Sequence, residues 1–594
     1  MGSVKHSKKK AEKRKGWEVY MLPVLFFVTI YPLILDMVMV TNDLAGFEWF
    51  SQESSRVDFF LYTKSRVLLA GAVIMLILLL DIHVIEGAKL YIQKSLAGLL
   101  VFGAGAILSS MMSPRRHEAL WGGVESCEGA FAVLAYLLLV IYSMTVILNA
   151  AGLSGRFEKA AHILFAGSGF ILAATGISQL IGKDLIRSKP VLSIIARGPA
   201  KEMIRYLEFA DTSSGLQKVY LTLFSFDEAG IYLTMLLPLV LLAAEKSRHK
   251  MLKAMYICLS VLLMICLIGT GARAVMAAFA ITMISGIIFR NLMPGEKEKK
   301  GRFPVAILLL LILIPGVIYV FVQRGSARGN EPGSGLEAIT PKKSRVEFVY
   351  EGQSYMAEPQ NILKAAGKGK LTLTQGSDGY YRSDEPAGIG LFTQSLPEEE
   401  KIDLYYNGIV LAFVKKSGDE RFCFINQFGN RAVIENADKI ARIPGALFNH
   451  RGYIWSRAAV LLKKHILLGC GQDQFVCIFP QNDYVGKADE GSDFFGQIVI
   501  GPHSIYLQNA LQSGILAALA GLISVAAVVV GGIRVLRKKG CNGDGLFVFY
   551  ITLSLVNYLI CGLLNDSCVA VAPLFWLLLG AEAGFCAKTM KDQG

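Results

Sequence analysis

Long apolar runs separated by short polar connections dominate the pattern along this chain. A helix needs about 20 mainly apolar residues to cross a bilayer, and twelve segments approach or exceed that length. The pattern therefore predicts an all-α polytopic membrane protein with about 12 transmembrane helices. The segments are residues 18–40, 65–86, 95–112, 129–149, 158–181, 229–244, 250–269, 272–289, 303–322, 504–531, 546–565 and 569–587.

One long segment, residues 323–502, interrupts the series of spans. It divides the chain into spans one to nine in residues 1–322, a large extramembrane loop, and spans ten to twelve in residues 503–594. Within the loop, the pattern of residues 343–445 predicts a small β-rich insert. Apolar residues return to helical spacing in residues 451–479, and residues 446–502 are predicted to form a helical segment.

The clearest β signal in the insert is Asn407-Gly408, which stands between two apolar runs. Asn-Gly at this place is typical of a type I′ hairpin turn. Ser417-Gly418 marks a further turn. We expect an antiparallel meander that forms a separable module.

Composition agrees with a membrane protein. In 594 residues, 53% are apolar and only 18% are charged, whereas soluble domains carry about 25% charged residues. Mean hydropathy is +0.47. The ten cysteines form no C-x-x-C pair, which argues against a zinc site or an iron–sulfur cluster. Cys470 and Cys477, seven residues apart on a predicted helix, are too distant to form a disulfide with each other.

The net charge of +13 is explained by topology rather than by a nucleic-acid partner. Basic residues concentrate in alternate connections, which predicts that these connections and both termini are cytoplasmic. The large loop is then external. The residues behind this orientation include Lys5, Lys8, Lys246, Arg248, Lys250, Arg534, Arg537, Lys538 and Lys539.

Two common kinds of nucleotide site are absent from the sequence. No G-x-x-x-x-G-K-[ST] loop occurs, which argues against an ATP-driven pump. No Asp-x-Asp occurs, so the usual metal clamp for nucleotide sugars is missing. We therefore expect neither a cofactor nor a bound metal.

Two arginines lie at predicted external boundaries. Arg273 ends the run Gly269-Thr270-Gly271-Ala272-Arg273 between two spans, and Arg451 precedes Trp455 by four residues on a predicted helix. Each has a purely structural alternative. An arginine at an interface can extend toward the headgroups, and an arginine near a tryptophan can stack on its ring.

A third candidate, His503, lies beside Pro502 at the predicted start of span ten. His503, Tyr506, Asn509 and Ser513 fall within one sector of about 120° on a helix, and a polar stripe should face a bundle interior rather than lipid. The positive end of the helix dipole favours neutral imidazole, the form that acts as a general base. A histidine that only caps the helix is the alternative.

Together these elements resemble the O-antigen ligase and Wzy-type polymerase family of bacterial envelope glycosyltransferases. The elements of that family look like T-G-[SA]-R, R-x-x-x-W followed by G-x-G, and H-[NS]-x-Y-L-Q. The matching residues are Thr270, Gly271, Ala272 and Arg273; Arg451, Trp455, Gly469 and Gly471; and His503, Ser504, Tyr506, Leu507 and Gln508. The loop with Glu128 and Gly129 is similar as well, with Ser126 where the family commonly has Arg.

The resemblance implies metal-independent transfer of a glycan from undecaprenyl pyrophosphate to a glycan or cell-wall acceptor. The reaction would occur at the external face of a bacterial plasma membrane. His503 would be the base that activates the acceptor, and Arg273 and Arg451 would bind the pyrophosphate. The expected substrate-binding residues are Trp455, Tyr506, Gln508 and Asn509.

Two other classes of function remain open. A flippase or transporter for lipid-linked glycan should carry polar residues through the whole bilayer, whereas this sequence concentrates them at one face. A scaffold protein would use the insert to bind a partner and has no need of a histidine on a polar stripe. The sequence does not separate polymerase from ligase, because these differ only in the acceptor.

Overall fold

The computed structural model of this chain is mostly helical. It describes residues 17–87, 93–123, 126–149, 154–204, 218–293, 335–359, 364–365, 373–375, 381–383, 389–435 and 449–591. In chain order the helices are α1 (Trp17–Thr29), α2 (Tyr62–Val84), α3 (Ala97–Met112), α4 (Arg116–Trp121), α5 (Ala130–Asn149), α6 (Gly155–Leu180), α7 (Lys189–Ile195), α8 (Ala200–Met203), α9 (Phe226–Lys246), α10 (Lys250–Thr270), α11 (Arg273–Asn291), α12 (Arg451–Lys464), α13 (Phe475–Ile478), α14 (Tyr484–Asp489), α15 (Ser492–Phe495), α16 (Ile505–Ser513), α17 (Ile515–Lys539), α18 (Asp544–Cys561) and α19 (Ala572–Lys591).

Nine helices within the described ranges are long and apolar enough to cross a membrane. This finding is consistent with a polytopic helical membrane protein. They are α2, α3, α5, α6, α9, α10, α11, α17 and α18. Helix α19 packs along α5, and a Cβ on Gly580 would lie 2.1 Å from Ser143 Oγ. Small residues at such contacts let helices approach closely.

The first predicted span is shorter in the structure, and the ninth is not among the described residues. The segment 18–40 begins as α1, but this helix ends at Thr29. A single 3-10 turn, Tyr31–Leu33, follows, and Pro32 has no amide hydrogen with which to continue a helix. The chain then enters a strand, so the helix is shorter than the sequence predicts. The predicted span 303–322 lies outside the described residues.

The predicted span 504–531 is wrong as a single helix. The structure has a nine-residue helix, α16, and a separate long helix, α17, with a break at Gly514 (φ 84°). Residues 466–471 pack against this break. The amides of Cys470 and Gly471 donate hydrogen bonds to the carbonyls of Leu511 (2.8 Å) and Gln512 (3.2 Å), and so supply donors for carbonyls near the end of α16.

The glycines of the G-x-G element explain this close approach. A Cβ on Gly469 would lie 2.3 Å from the carbonyl oxygen of Gln512, and one on Gly471 would lie 2.9 Å from Ser113 Cβ. Both glycines have positive φ, 78° and 101°, which favours glycine. The G-x-G element therefore joins the loop after α12 to α16 and α3.

Within the described residues, the strands form three antiparallel sheets. A hairpin of β1 and β2 follows the 3-10 turn, and two sheets lie between α11 and α12, with orders β3-β4-β5-β6 and β13-β12-β11-β10-β9-β8-β7. Asn407 and Gly408, with φ of 50° and 77°, connect β10 to β11. The strands are β1 (Val38–Thr41), β2 (Ser55–Asp58), β3 (Leu336–Pro341), β4 (Val346–Tyr350), β5 (Gln353–Ala357), β6 (Lys364–Ala365), β7 (Leu373–Gln375), β8 (Tyr381–Ser383), β9 (Gly390–Ser395), β10 (Glu399–Tyr406), β11 (Ile409–Lys416), β12 (Cys423–Ile425) and β13 (Arg431–Ala432).

The sheets β3–β13, which we call the insert, share their hydrophobic core with the segment that follows. Tyr484, Val485 and Ala488 of α14 are buried in the same cluster as the strands. Asn430 at the β12–β13 turn donates to the carbonyl of Phe50 (2.8 Å) in the β1–β2 connection. The expectation of a separable module is therefore wrong, because the insert packs against two other parts of the chain. Its strands begin at residue 336, before the predicted start at 343.

Helices α12–α15 and the insert lie at one end of the helical bundle, which we call the insert side. The predicted helix over residues 451–479 is divided into α12, a loop and α13. Cys470 is in that loop and Cys477 is on α13. Both thiols are free, as the sequence predicts. The predicted reason, two positions seven residues apart on one helix, does not apply.

Candidate functional site

His503 lies beside a carboxylate that the sequence analysis did not identify. Its Nδ1 is 3.2 Å from Oδ2 of Asp566, and its side chain is 44% exposed. Oδ1 of Asp566 accepts a hydrogen bond from the amide of Ser504 (3.0 Å). The carboxylate therefore contacts both His503 and the residue after it. With Nδ1 directed at Asp566, Nε2 is the ring nitrogen left to accept a proton.

His503 is not on a helix, contrary to the sequence prediction. Helix α16 begins at Ile505 with Ser504 as its N-cap, and His503 has a φ of 50°. The amide of Ile505 donates to the carbonyls of Gly562 (2.9 Å) and Asn565 (2.8 Å). These bonds join the start of α16 to the connection between α18 and α19, which carries Asp566.

Arg451 is the first residue of α12 and lies at the same connection. Its Nε donates to the carbonyl of Leu564 (2.8 Å). Burial lowers the pKa of its guanidinium, and the nearby carboxylates of Asp227 and Asp566 act in the opposite direction. One turn later, Trp455 Nε1 donates to the carbonyl of Pro502 (2.8 Å), directly before His503. This contact positions α12 against the loop of His503.

Asp227 is a carboxylate close to the cationic residues of the site. It lies in the first turn of α9, and Arg451, His503 and Lys218 are all close enough to interact with it electrostatically. Lys218 is exposed, and its Nζ lies 3.7 Å from the ring centroid of Phe226. Three basic side chains from distant parts of the chain therefore lie within electrostatic range of the first turn of α9.

The turn between α10 and α11 places Arg273 next to this group. Gly271, with φ 65°, ends α10, and Arg273 is the first residue of α11. Thr270 Oγ1 accepts from the amide of Ala272 (3.2 Å) and stabilises the turn. A Cβ on Gly230, one turn after Asp227, would lie 3.3 Å from Ala272 Cβ. The turn is thus packed against the start of α9.

Lys218 lies close to the same turn because Val219, the next residue in the chain, is bonded to it. The amide of Val219 donates to the carbonyl of Gly269 (3.0 Å), and a Cβ on Gly269 would lie 2.7 Å from Val219 Cγ2. Glycine at 269 therefore permits the segment with Lys218 to approach the turn that carries Arg273. The structure brings the predicted elements of Arg273, Arg451 and His503 to one region of the insert side.

Three of the four predicted substrate-binding residues make internal contacts. Besides Trp455, Tyr506 donates its hydroxyl to the carbonyl of Leu559 (2.6 Å). Gln508 is buried, and its Oε1 accepts from the amide of Ser567 (2.7 Å). Tyr506 and Gln508 thus hold α16 against α18 and the α18–α19 connection. Asn509 is half-buried and lines a cavity.

This cavity, which we call the bundle cavity, has a volume of about 240 Å³. Polar side chains lie at its insert-side end, and apolar and aromatic side chains line the rest. It lies between α16 and α17 on one side and α3, α5, α18 and α19 on the other. The polar lining includes Glu128, Gln472, Tyr506, Asn509, Gln512 and Ser567, and the apolar lining includes Phe102, Ala518, Leu519, Leu522, Val525, Phe575 and Trp576.

The bundle cavity has apolar lining residues on α17 and a polar lining residue next to Asp566. Leu519 and Leu522 of α17 line it and are 48% and 37% exposed. Ser567 lines its polar end and follows Asp566 in the chain. An elongated ligand with a hydrocarbon tail and a polar head would match this distribution.

Two buried carboxylates support the polar end of the bundle cavity. Glu128 accepts hydrogen bonds from Tyr136 (2.6 Å) and Ser567 (2.9 Å), and burial raises its pKa to about 7. Asp473 accepts from the amides of Gly123 (2.7 Å) and Glu128 (3.3 Å) and from the hydroxyl of Ser126.

Burial raises the pKa of Asp473 to about 7 as well, and the charge of Glu128 contributes to the increase. Asp473 therefore connects the α4–α5 loop to the segment after the G-x-G element. Ser126 is a direct partner of this carboxylate.

The sequence analysis missed Asp227, Lys218, Asp473 and Asp566. Asp566 lies between two predicted spans on the predicted external side, as His503 does, and this shared side was an available signal. Lys218 and Asp227 precede a predicted span in the same way. No local pattern indicates which polar residues at the ends of separate helices are neighbours.

Comparison with protein-family models, curated proteins and solved structures finds no significant match to this chain. The site is therefore interpreted from its own geometry. A histidine with a carboxylate partner can accept a proton. Arginine and lysine side chains near an amphipathic cavity can bind a phosphorylated head group.

Proposed function

We propose that this chain is a membrane glycosyltransferase that polymerises or ligates glycan carried on undecaprenyl pyrophosphate. The observation that carries this proposal is the position of His503 and Asp566 beside Arg451, next in the chain to Ser567, which lines the polar end of the bundle cavity. A base, a cationic group and a site for a hydrocarbon chain are the three parts such a transfer requires. The resemblance of the three sequence elements to O-antigen ligases and polymerases supports the same reaction.

His503 acts on the acceptor in this proposal. Its Nε2 takes the proton of an acceptor hydroxyl, and the hydroxyl oxygen attacks the anomeric carbon of the donor sugar. Asp566 accepts a hydrogen bond from the Nδ1–H group and stabilises the imidazolium that forms. The bond between the anomeric carbon and the pyrophosphate oxygen breaks, and the electron pair leaves with undecaprenyl pyrophosphate.

Arg451 and Arg273 stabilise the leaving pyrophosphate. Charge on its oxygens increases as the bond breaks, so cations placed there act more strongly on the transition state than on the bound donor. Lys218 adds a third positive charge at the α10–α11 turn. Burial around Arg451 strengthens its interaction with the pyrophosphate, because the local dielectric constant is lower than that of water.

The bundle cavity provides the site for the lipid carrier. Its apolar lining matches part of a polyprenyl chain, and Glu128, Asn509 and Ser567 lie at the end nearest His503. A volume of about 240 Å³ accommodates a segment of the chain, and the rest would extend past Leu519 and Leu522 into lipid. This arrangement would present the pyrophosphate at the insert side.

We further propose that the insert side is extracytoplasmic and that the protein resides in a bacterial plasma membrane. Lys246 and Lys250 lie at the opposite end of the bundle, between α9 and α10, and Arg537, Lys538 and Lys539 lie there at the end of α17. Short loops that are rich in basic residues lie on the cytoplasmic side of the membrane. Both termini would then be cytoplasmic.

A flippase for the same lipid-linked glycan is the alternative. Glu582 favours it, because this carboxylate is fully buried in the middle of α19, where it accepts a hydrogen bond from Thr552 (2.8 Å). Ionisable residues inside a bundle often mark a transport path. The cations around Asp227, in contrast, gather at one end of the bundle, which favours a reaction at that surface.

One reconstitution experiment separates the two functions. The full-length protein is placed in liposomes with an undecaprenyl-pyrophosphate-linked oligosaccharide, in buffer with EDTA and without nucleotide. Glycosyl transfer yields longer lipid-linked glycans or a ligated product, together with free undecaprenyl pyrophosphate. Movement of the intact donor between leaflets without any new glycosidic bond would instead show a flippase. His503→Ala serves as the inactive control for transfer.

A further inference from the structure

The end of α12 carries an apolar tip that the proposed reaction does not use. Ile466, Leu467 and Leu468 form a turn directly after this helix, with exposed fractions of 44%, 69% and 40%. Three consecutive exposed apolar residues are costly in water. Lys463 and Lys464, both exposed, occupy the last turn of the helix before the tip.

Helix α12 lies across the insert-side surface of the bundle. Its 14 residues span about 20 Å at the usual rise of 1.5 Å per residue. At its first residue, Arg451 bonds to Leu564, between α18 and α19. Just beyond its other end, the carbonyl of Ile466 accepts from the amide of Ile515, the first residue of α17 (2.9 Å). Both ends are therefore held at the level where membrane-spanning helices begin or end.

The apolar tip continues a surface that faces lipid if the bundle crosses a membrane. Leu516 and Leu519 at the start of α17 are 65% and 48% exposed. Met111 and Met112 at the end of α3 are 56% and 60% exposed, and Gly471, shortly after the tip, packs against Ser113 next to them. The tip thus lies between the exposed ends of two candidate spans.

We propose that residues 466–468 insert into the adjacent lipid leaflet and anchor α12 to the membrane. The acyl chains of phospholipid cover the three apolar side chains. Lys463 and Lys464 lie at headgroup level, where anionic phosphates attract them. The anchor fixes the depth of α12, and therefore of Arg451 at its other end. This inference needs only a membrane-embedded bundle and does not depend on the glycosyl-transfer reaction.

Site-specific photocrosslinking in full-length protein tests the anchor. The photoreactive residue p-benzoylphenylalanine replaces Leu467, and the protein is reconstituted in nanodiscs of phosphatidylethanolamine and phosphatidylglycerol. After irradiation, mass spectrometry quantifies lipid adducts. The same residue at Leu516 is the positive control. At Leu396, an exposed leucine of the insert (51%), it is the matched negative control. Size-exclusion chromatography confirms that each variant keeps the wild-type profile.

We expect the lipid adduct yield at position 467 to approach that at 516 and to exceed clearly that at 396. A yield at 467 no higher than at 396, while 516 reacts, would overturn the proposal. The adducts at 467 should also contain more phosphatidylglycerol than its share of the nanodisc. This excess should disappear in the double variant Lys463→Gln/Lys464→Gln. If the protein that keeps both lysines shows no such excess, Lys463 and Lys464 do not contribute to the anchor.

Discussion

Nδ1 of His503 lies 3.2 Å from Oδ2 of Asp566, and the amide of Ser504 donates to the other oxygen of the same carboxylate. The carboxylate thus contacts the histidine and fixes the backbone beside it. This relationship defines the orientation of the imidazole. It also gives the proposed base a partner that stabilises its protonated form.

Removing the charge of Asp566 should slow transfer with little change in structure. In Asp566→Asn, the amide oxygen can still accept from Ser504, but the charge that stabilises the imidazolium is lost. A charge-assisted hydrogen bond contributes about 1.5–3 kcal/mol, so we expect kcat to fall roughly 10- to 100-fold while the donor KM changes little. His503→Ala should reduce transfer by about 10²–10⁴.

A second histidine–carboxylate pair on the same side provides the control for that substitution. Nε2 of His450 lies 3.6 Å from Asp493, whose side chain is 79% exposed. Asp493→Asn should leave kcat unchanged. Equal activity of Asp566→Asn and Asp493→Asn would show that Asp566 has no part in the reaction.

Lysine should not replace arginine at the proposed pyrophosphate contacts. Lysine has no Nε–H to bond the carbonyl of Leu564 and cannot contact two phosphate oxygens in a plane. In Arg451→Lys and in Arg273→Lys we expect transfer to fall about 10- to 100-fold, the effect of one charge-assisted contact. Arg431→Lys, at an arginine paired with Asp419 in the insert, is the matched control. Near-normal turnover in both site variants would favour a purely anchoring role for these arginines.

Filling the bundle cavity should weaken binding of the lipid-linked donor. Ala518 lines the cavity, so Ala518→Phe would place a ring where the carrier chain is proposed to bind. Burial of one methylene contributes about 0.8 kcal/mol, so loss of several contacts should raise the donor KM about tenfold or more. Ala526→Phe, on the exposed surface of the same helix, is the control. A donor KM that is the same in both variants would show that the chain binds elsewhere.

The stability of the site should decrease as pH rises from about 4 to about 7. Asp473 and Glu128 have pKa values raised to about 7 by burial, so the folded state holds protons that the unfolded state releases above about pH 4. Stability is then lost with rising pH until both carboxyls are ionised, and it levels off above about pH 7.

The variant Asp473→Asn tests this dependence. Its amide oxygen can accept from Gly123 and Glu128, and its amide nitrogen can donate to Ser126, whose hydroxyl reverses its role. Thermal unfolding followed across pH should show a melting temperature that rises, relative to wild type, between about pH 4 and 7. A constant difference between the two proteins across this range would contradict the raised pKa of Asp473.

Cysteine labelling in intact cells should identify the external side. Ser417 is exposed in the turn after β11, and Met251 at the start of α10 is 87% exposed at the opposite end of the bundle. In a background without accessible native cysteines, Ser417→Cys should react with an impermeant thiol reagent. Met251→Cys should react only after lysis. The reverse result would invert the proposed topology.

The sequence by itself determined the class of the protein, because the requirement for about 20 apolar residues per span is local and appears in each segment separately. It also indicated turns that need glycine or asparagine, such as Asn407-Gly408, because positive φ restricts the residue at one position. The same local character explains why residues at predicted external boundaries, including Arg273, Arg451 and His503, were recognised as candidates.

Only the tertiary structure decided which of these residues are neighbours. Asp566 beside His503, Lys218 beside the α10–α11 turn, and the shared core of the insert and α14 all join segments that no periodicity relates. The break at Gly514 has the same origin. A hydrophobic run predicts a continuous helix, but the amides of Cys470 and Gly471 from a distant loop supply donors to carbonyls near the end of α16 and so stabilise two helices in its place.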